Sequence, residues 1–293
     1  MPKPERTPRA WSSHAGLRAA GVLAMLIAIT IVVVLNAFAQ QTPSKGLTAK
    51  TTFTPWPAGS RISASGGISR SVTVVGVGDS VTSGSACNCE TFVGLYATNL
   101  ASQRGVETSS VNLGVPGWTS SQLLQSLTQP GAFHDQVAKA DVLLVTIGAN
   151  DLLPLEEKQS GGCTATCYGP LVNSVGHNVG LIVAAAQAAH PNHPPTILVT
   201  DYWNVFEDGD VGSAENGTSF QSWSDVLTRA ESAAVCNAAR GAGANCVSLY
   251  APFKGNGSKN PTTLLAADGD HPNSAGHQLI ASTLLASTPL PLP

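Results

Sequence analysis

From residue 71 onward, short aliphatic runs alternate with longer segments whose apolar positions recur every three or four residues. The runs at 72–77, 108–113, 142–147, 196–200 and 246–250 read as strands, and the segments 91–104, 121–128, 171–189, 220–239 and 274–286 as helices. The 142–147 run is near-continuously apolar, as expected of a strand buried on both faces. The 171–189 segment is Ala-rich and stops at the prolines around Pro191, and 274–286 places Leu279, Ile280 and Leu284 on one face. Strands alternating with helices predict an α/β fold, a three-layer α/β/α sandwich around a parallel sheet. No internal repeat interrupts the alternation, and 71–293 reads as one domain.

The preceding residues have a different pattern. Lys3, Arg6, Arg9 and Arg18 precede an apolar run of 17 residues at 19–35, followed by Ala37-Phe38-Ala39. A basic start, an apolar stretch and small residues predict an export signal cleaved after Ala39. The run is long for a signal and, continued to Ala39, nears the length that spans a bilayer, so an uncleaved membrane tether through 19–39 is the rival expectation. Either one puts the body outside the cytoplasm, secreted or anchored there. Residues 40–70, rich in Thr, Ser, Pro and Gly and without a sustained period, read as a linker.

Composition narrows the functional classes. Charged residues are only 11% of the 293, against 43% hydrophobic residues, which excludes a disordered chain and a coiled coil. Net charge is −3, with no basic run in the body, so nucleic acid is not an expected partner. Setting aside the four basic residues and one acid of 1–39, the remainder carries about −6. The six cysteines suit an oxidising compartment and predict disulfides. Cys236 with Cys246 is the easiest pair, at a helix-to-strand junction. Cys87, Cys89, Cys163 and Cys167 allow three pairings among which spacing does not choose, and their CxC and CxxxC spacings do not fit a common zinc knuckle.

In parallel sheets the reacting side chains sit just beyond the carboxyl ends of strands, so the residues there carry the functional reading. The first strand is followed by Gly78-Asp79-Ser80-Val81, a tight turn able to present a hydroxyl, or simply a turn. Thr82 stands where the second glycine of a G-x-S-x-G elbow belongs, so it is not that motif. After the second strand come Gly114-Val115-Pro116-Gly117-Trp118, where Gly117 offers a bare backbone N–H or an ordinary Pro-Gly turn. After the third comes Gly148-Ala149-Asn150-Asp151, whose Asn either points an amide into a cleft or caps the next segment. Before the last helix stands Asp268-Gly269-Asp270-His271-Pro272-Asn273. In one tight turn, residues three apart meet, so Asp268 is expected to accept from His271, while the adjacent Asp270 diverges.

Taken together and in this order, the four blocks resemble the SGNH hydrolases, also called GDSL esterases and lipases, from about Val72 to Leu285. The resemblance implies a flavodoxin-like sheet and a carboxylic ester hydrolase. By the same resemblance Ser80 is the nucleophile, His271 the base and Asp268 the acid that orients it. The oxyanion donors are the Ser80 and Gly117 backbones and the Asn150 side chain, with Gly114 as a second register. Gly-Asp-Ser-Val replaces Gly-Asp-Ser-Leu, and the cysteines and segment 202–219 have no counterpart in the pattern.

The chemistry supports the same assignment. A serine hydroxyl needs a neighbouring base, the base a carboxylate behind it, and the tetrahedral oxyanion preorganised donors. No metal and no organic cofactor is needed. The expectation is a monomeric, exported serine esterase acting on a lipid, an acylated glycan or a small ester. Rival readings are an acyltransferase of the same fold, delivering the acyl group to a sugar or alcohol hydroxyl, and a non-catalytic binding module.

Other residues are read as peripheral. His190 and His193 sit among prolines in what reads as a solvated loop, not a metal site. Glu207, Asp208, Asp210 and Glu215 form an acidic loop without EF-hand spacing. Tyr202 and Trp203 either line a substrate groove with Trp118 or cap the core. His277 reads as structural or exposed, and the sequons at Asn216 and Asn256 matter only in a host that glycosylates exported proteins.

Overall fold

The computed structural model describes residues 71–289 and Leu292. The expectations for 1–39 and 40–70 therefore fall outside the described residues; among those described, no helix is long and apolar enough to cross a membrane.

Five strands, β1 (Val72–Gly78), β2 (Thr108–Gly114), β3 (Val142–Thr146), β4 (Thr196–Thr200) and β5 (Asn245–Val247), form one parallel sheet in the order β2-β1-β3-β4-β5. Every residue of β3 and of β4 is buried, which is why their sequences lack a polar alternation. Ten α-helices occur among the described residues: α1 (Ser80–Ser83), α2 (Phe92–Arg104), α3 (Ser120–Thr128), α4 (Ala132–Val137), α5 (Ala149–Lys158), α6 (Ala165–Ala188), α7 (Gly209–Glu215), α8 (Gly217–Gly241), α9 (Tyr250–Lys254) and α10 (Ser274–Ala286).

Two separate cores cover the two faces. Val74, Val142 and Leu144 pack with Phe92, Tyr96 and Leu100 of α2 and Ile280 and Leu284 of α10. Their sheet neighbours Val75, Val77, Leu143 and Val145 face the other way, onto Leu123 of α3, Val179 and Ile182 of α6 and Val235 of α8. The alternation of adjacent residues between the two cores makes the three layers. The strand order reverses between β1 and β3, and in open α/β sheets the crevice beyond that point is where ligands bind.

Several elements depart from the sequence reading. The 246–250 strand is cut short after Val247, because the Asp201 carboxylate accepts the Leu249 and Tyr250 N–H groups and starts α9 there. α4, α5 and α7 are helical where no helix was expected; α5 carries an internal proline, Pro154, and is short enough to tolerate it. His190 is not solvated: it is 9% exposed, with Nδ1 2.8 Å from the Ala186 carbonyl near the end of α6. The cysteines pair as Cys87–Cys89, Cys163–Cys167 and Cys236–Cys246, which resolves the pairing that spacing left open.

Candidate active site

β1 ends in a turn built around Asp79. Its carboxylate accepts the Val81 N–H at 3.0 Å, capping α1, and the Thr146 hydroxyl at 3.1 Å, tying the turn to β3. The Tyr202 hydroxyl donates to its other oxygen. Burial raises the Asp79 carboxyl to about 6, against these three hydrogen bonds, which favour the ionised form. Ser80 follows, half-buried, and opens α1, so its own N–H takes no part in the helical ladder. Gly78 permits the close approach: a Cβ there would lie 1.9 Å from the Thr146 carbonyl oxygen.

The loop after β2 runs past Ser120, where α3 is closed by a capping box between Thr119 and Gln122. The two glycines of this loop have different surroundings. At Gly114 a Cβ would meet the Ser83 nitrogen at 2.3 Å, so this residue is packed against α1. Gly117 is exposed, has φ +81, and faces open space. It is the glycine whose backbone is free to meet a ligand.

Asn150 and Asp151, in the first turn of α5, reach back to that loop. Asn150 Nδ2 donates to the Trp118 carbonyl at 3.0 Å, and Asp151 accepts from the Ser120 backbone N–H and hydroxyl. An amide nitrogen carries two hydrogens, so anchoring one leaves the other to be presented. Beneath this turn lies Glu231 of α8, wholly buried, its Oε1 2.0 Å from where a Cβ on Gly148 would stand. Neither of its carboxyl oxygens has a hydrogen-bond partner among the described residues. Burial, together with the negative charges of Asp151, Asp79 and Asp201, drives its carboxyl far above the usual range.

On the loop before α10, Asp268 Oδ2 lies 2.8 Å from His271 Nδ1, and Asp268 Oδ1 accepts the backbone N–H groups of Asp270 and His271 at 3.1 Å each. Partial burial would raise the Asp268 carboxyl, but the bonds from His271 and Asp270 outweigh it and hold the group below its usual value. For His271 burial opposes charge, yet the Asp268 bond and the negative charges of Asp270, Asp268 and Asp79 outweigh it and raise the ring. Asp79, the neighbour of Ser80, is the last and smallest of the charges that raise it. No hydrogen bond joins Ser80 Oγ to the ring, whose Nδ1 is held by Asp268; in hydrolases of this kind such contacts often tighten only when substrate binds.

The segment 202–211, which matched no part of the pattern, holds this loop in place. The Glu207 N–H donates to Asp270 Oδ1 at 2.9 Å, the Asp208 N–H to the Gly269 carbonyl at 2.8 Å, and Trp203 Nε1 to the Asp270 carbonyl at 3.2 Å. Asp208 is itself paired with buried Lys254 at 2.5 Å. Asp270 thus turns away from the imidazole edge that Asp268 meets. Tyr202 and Trp203 are 1% and 0% exposed, so both belong to the core and not to a groove wall; Trp203 stacks on Phe253 at 4.2 Å. Trp118 alone of the three is half-exposed, tilted against Phe133 at 5.4 Å. The sequence carried no signal for the Asp151–Ser120 or Tyr202–Asp79 contacts, since each joins residues 31 and 123 positions apart.

The sequence profile of the GDSL-like lipase/acylhydrolase family matches residues 77–279. Similar folds occur in a lipase from a goat rumen metagenome, with TM-score 0.62 and 20% identity over 74% of this chain and 97% of that one. They occur also in an extracellular lipase from Streptomyces rimosus (TM-score 0.53, 14% identity, 74% and 100%) and an acetyl xylan esterase from Geobacillus stearothermophilus (TM-score 0.52, 17% identity, 74% and 94%). No curated protein matches the sequence.

Proposed function

The chain belongs to the GDSL-like lipase/acylhydrolase family, and on that premise we propose that it is an exported serine esterase working through Ser80, His271 and Asp268. The observation that carries the reading is the 2.8 Å contact of His271 Nδ1 with Asp268. It fixes the tautomer and leaves Nε2 to accept the serine proton. Ser80 Oγ attacks the acyl carbonyl as His271 takes that proton. The negative oxygen is met by the N–H groups of Ser80 and Gly117 and by the free hydrogen of Asn150 Nδ2, each such donor being worth ~3–4 kcal/mol of barrier. Imidazolium then protonates the departing alcohol, and water, activated by the same ring, releases the acid from the acyl-enzyme.

Uncharged esters suit a site whose exposed wall is Trp118 and whose nearby carboxylates would repel an anionic acyl chain. Lipid esters and acetylated glycans are the two classes to test first, in keeping with the names of the similar folds. Three disulfides are in keeping with an oxidising location, where such bonds persist; the apolar run at 19–35 favours secretion or an extracytoplasmic anchor.

A fluorophosphonate probe tests the nucleophile. The expected result is a single adduct on Ser80, absent in Ser80→Ala, with hydrolysis of nitrophenyl acetate falling by about three orders of magnitude or more in that variant. Undiminished turnover in Ser80→Ala would remove the assignment.

A further inference from the structure

The Cys87–Cys89 disulfide lies on the segment joining α1, which opens on Ser80, to α2, and its setting differs from that of the other two. It closes the smallest ring of the three, with one residue between its cysteines against nine for Cys236–Cys246. Stabilisation by a cross-link grows with ring size, so this one contributes least to folding. Both cysteines are partly exposed and open to an attacking thiol, as Cys163 and Cys167 are and buried Cys236 is not. The residue before them, Ala86, is held at φ +57, a left-handed conformation that is costly for a residue with a Cβ.

Against the sulfurs stands a side chain for which the reaction at Ser80 has no use. A ring nitrogen of His277 and both Sγ atoms lie within 4.8 Å of one another. His277 is fully buried in α10, with its ring stacked on Phe92. Its Nδ1 accepts the Phe92 N–H at 3.2 Å, which places the proton of the neutral ring on Nε2. That Nε2 has no hydrogen-bond partner among the described residues. Burial, with the charge of His271 adding to it, lowers the ring to about 4, so it is neutral at ordinary pH. A disulfide sulfur is a poor acceptor and a thiolate a good one. The buried N–H is unsatisfied while the disulfide is closed, and a thiolate within its reach would satisfy it.

We propose that Cys87–Cys89 is a thiol–disulfide exchange site for a dithiol reductant, with His277 Nε2–H as the donor that stabilises the thiolate set free. The thiolate of the reductant attacks one sulfur, the Cys87–Cys89 bond breaks, and the other sulfur leaves as a thiolate facing His277. The second thiol of the reductant then attacks the mixed disulfide and departs as a cyclic or intramolecular disulfide. Two electrons and two protons pass from the dithiol to the cysteine pair. A reduced form stabilised in this way makes the disulfide the easiest of the three to open.

The test equilibrates the full-length oxidised protein in graded mixtures of reduced and oxidised dithiothreitol, quenches with iodoacetamide and maps the alkylated cysteines by mass spectrometry. Cys87 and Cys89 are expected to be half-reduced at a ratio of reduced to oxidised reagent at least about tenfold lower than either other pair. His277→Leu, which removes the donor, is expected to raise that ratio by about tenfold. Should that variant fail to fold, the ranking of the three pairs in the unaltered protein decides. Opening of all three pairs together, opening of Cys87–Cys89 last, or a ratio within twofold in folded His277→Leu would each overturn the proposal.

Discussion

The Asp151 carboxylate holds Ser120 by two hydrogen bonds, from its backbone N–H at 2.7 Å and its hydroxyl at 2.6 Å. Asn178 Nδ2 donates to the same hydroxyl at 2.8 Å, and neighbouring Asn150 holds the Trp118 carbonyl. The loop carrying Gly117 is thus attached to the turn carrying Asn150, so the two groups proposed as oxyanion donors keep a common geometry. Asp151→Ala is expected to lower kcat for a nitrophenyl ester by about 10–100-fold through misplacement of both donors. The free Ser120 N–H also costs stability, about 1–3 kcal/mol in denaturant unfolding. Turnover within twofold of the parent would show that the loop is positioned by other contacts.

The two glycines of that loop separate packing from catalysis. In Gly114→Ala the added methyl meets the Ser83 nitrogen, so stability falls, and activity only as folded protein is lost. Gly117→Ala meets nothing, but φ +81 disfavours a Cβ by about 1 kcal/mol, and the N–H direction shifts as the loop relaxes. Its melting temperature is expected to change little and its kcat to fall several-fold. Thermal scans beside kinetics read both, and a reversed pattern would move the oxyanion donor to Gly114.

With His271 as the proposed base, the rise of kcat/KM with pH is expected to report its ionisation in the free protein, because only the neutral ring accepts a proton. Its pKa is raised above the ordinary histidine value by Asp268 and by the neighbouring carboxylates, against the effect of burial. Activity is therefore expected to be lost as pH falls through a point above 6.5, not below it. Asp268→Asn removes the charge bound to Nδ1, so the limb moves to lower pH and kcat falls by about 10²–10⁴. Asp270→Asn removes only a through-space charge; its limb moves less and its kcat falls less. The opposite ranking of the two variants would reassign the orienting acid.

Glu231 is the least comfortable residue beneath the site. Its folded carboxyl holds a proton more tightly than the unfolded one, so as pH rises above the ordinary Glu range the unfolded state alone ionises and stability falls. Glu231→Gln has no such proton to lose. Its stability relative to the parent should be near zero at pH 4 and grow by up to about 1.4 kcal/mol per pH unit toward neutrality. Urea unfolding at pH 4, 5.5 and 7 measures this. A difference that does not change with pH would mean that the carboxyl is ionised in the folded protein.

Much of the architecture could be read from local patterns. The aliphatic run that became β3 is buried on both faces, and the 274–286 helix begins where Asn273 accepts the Ala275 and Gly276 N–H groups. Both rest on interactions within a few residues, which period and capping chemistry report directly. The Asp268–His271 contact is of the same kind, three positions apart in one turn. α5 and α7 escaped because their sequences carry a proline and glycines that weaken local helix preference, and packing overrides it.

What the amino-acid order settled by itself was the alternation of strands and helices, the family, and the short blocks beyond the strand ends. Tertiary structure alone decided which glycine faces open space, where Tyr202 and Trp203 go, how four of the cysteines pair, and that segment 202–211 supports the His271 loop. The physical reason is separation along the chain. A cap or turn is made by neighbours whose identities are all in view, whereas Asp79 with Tyr202, Asp151 with Ser120 and His277 with Cys87 meet only after the layers have packed.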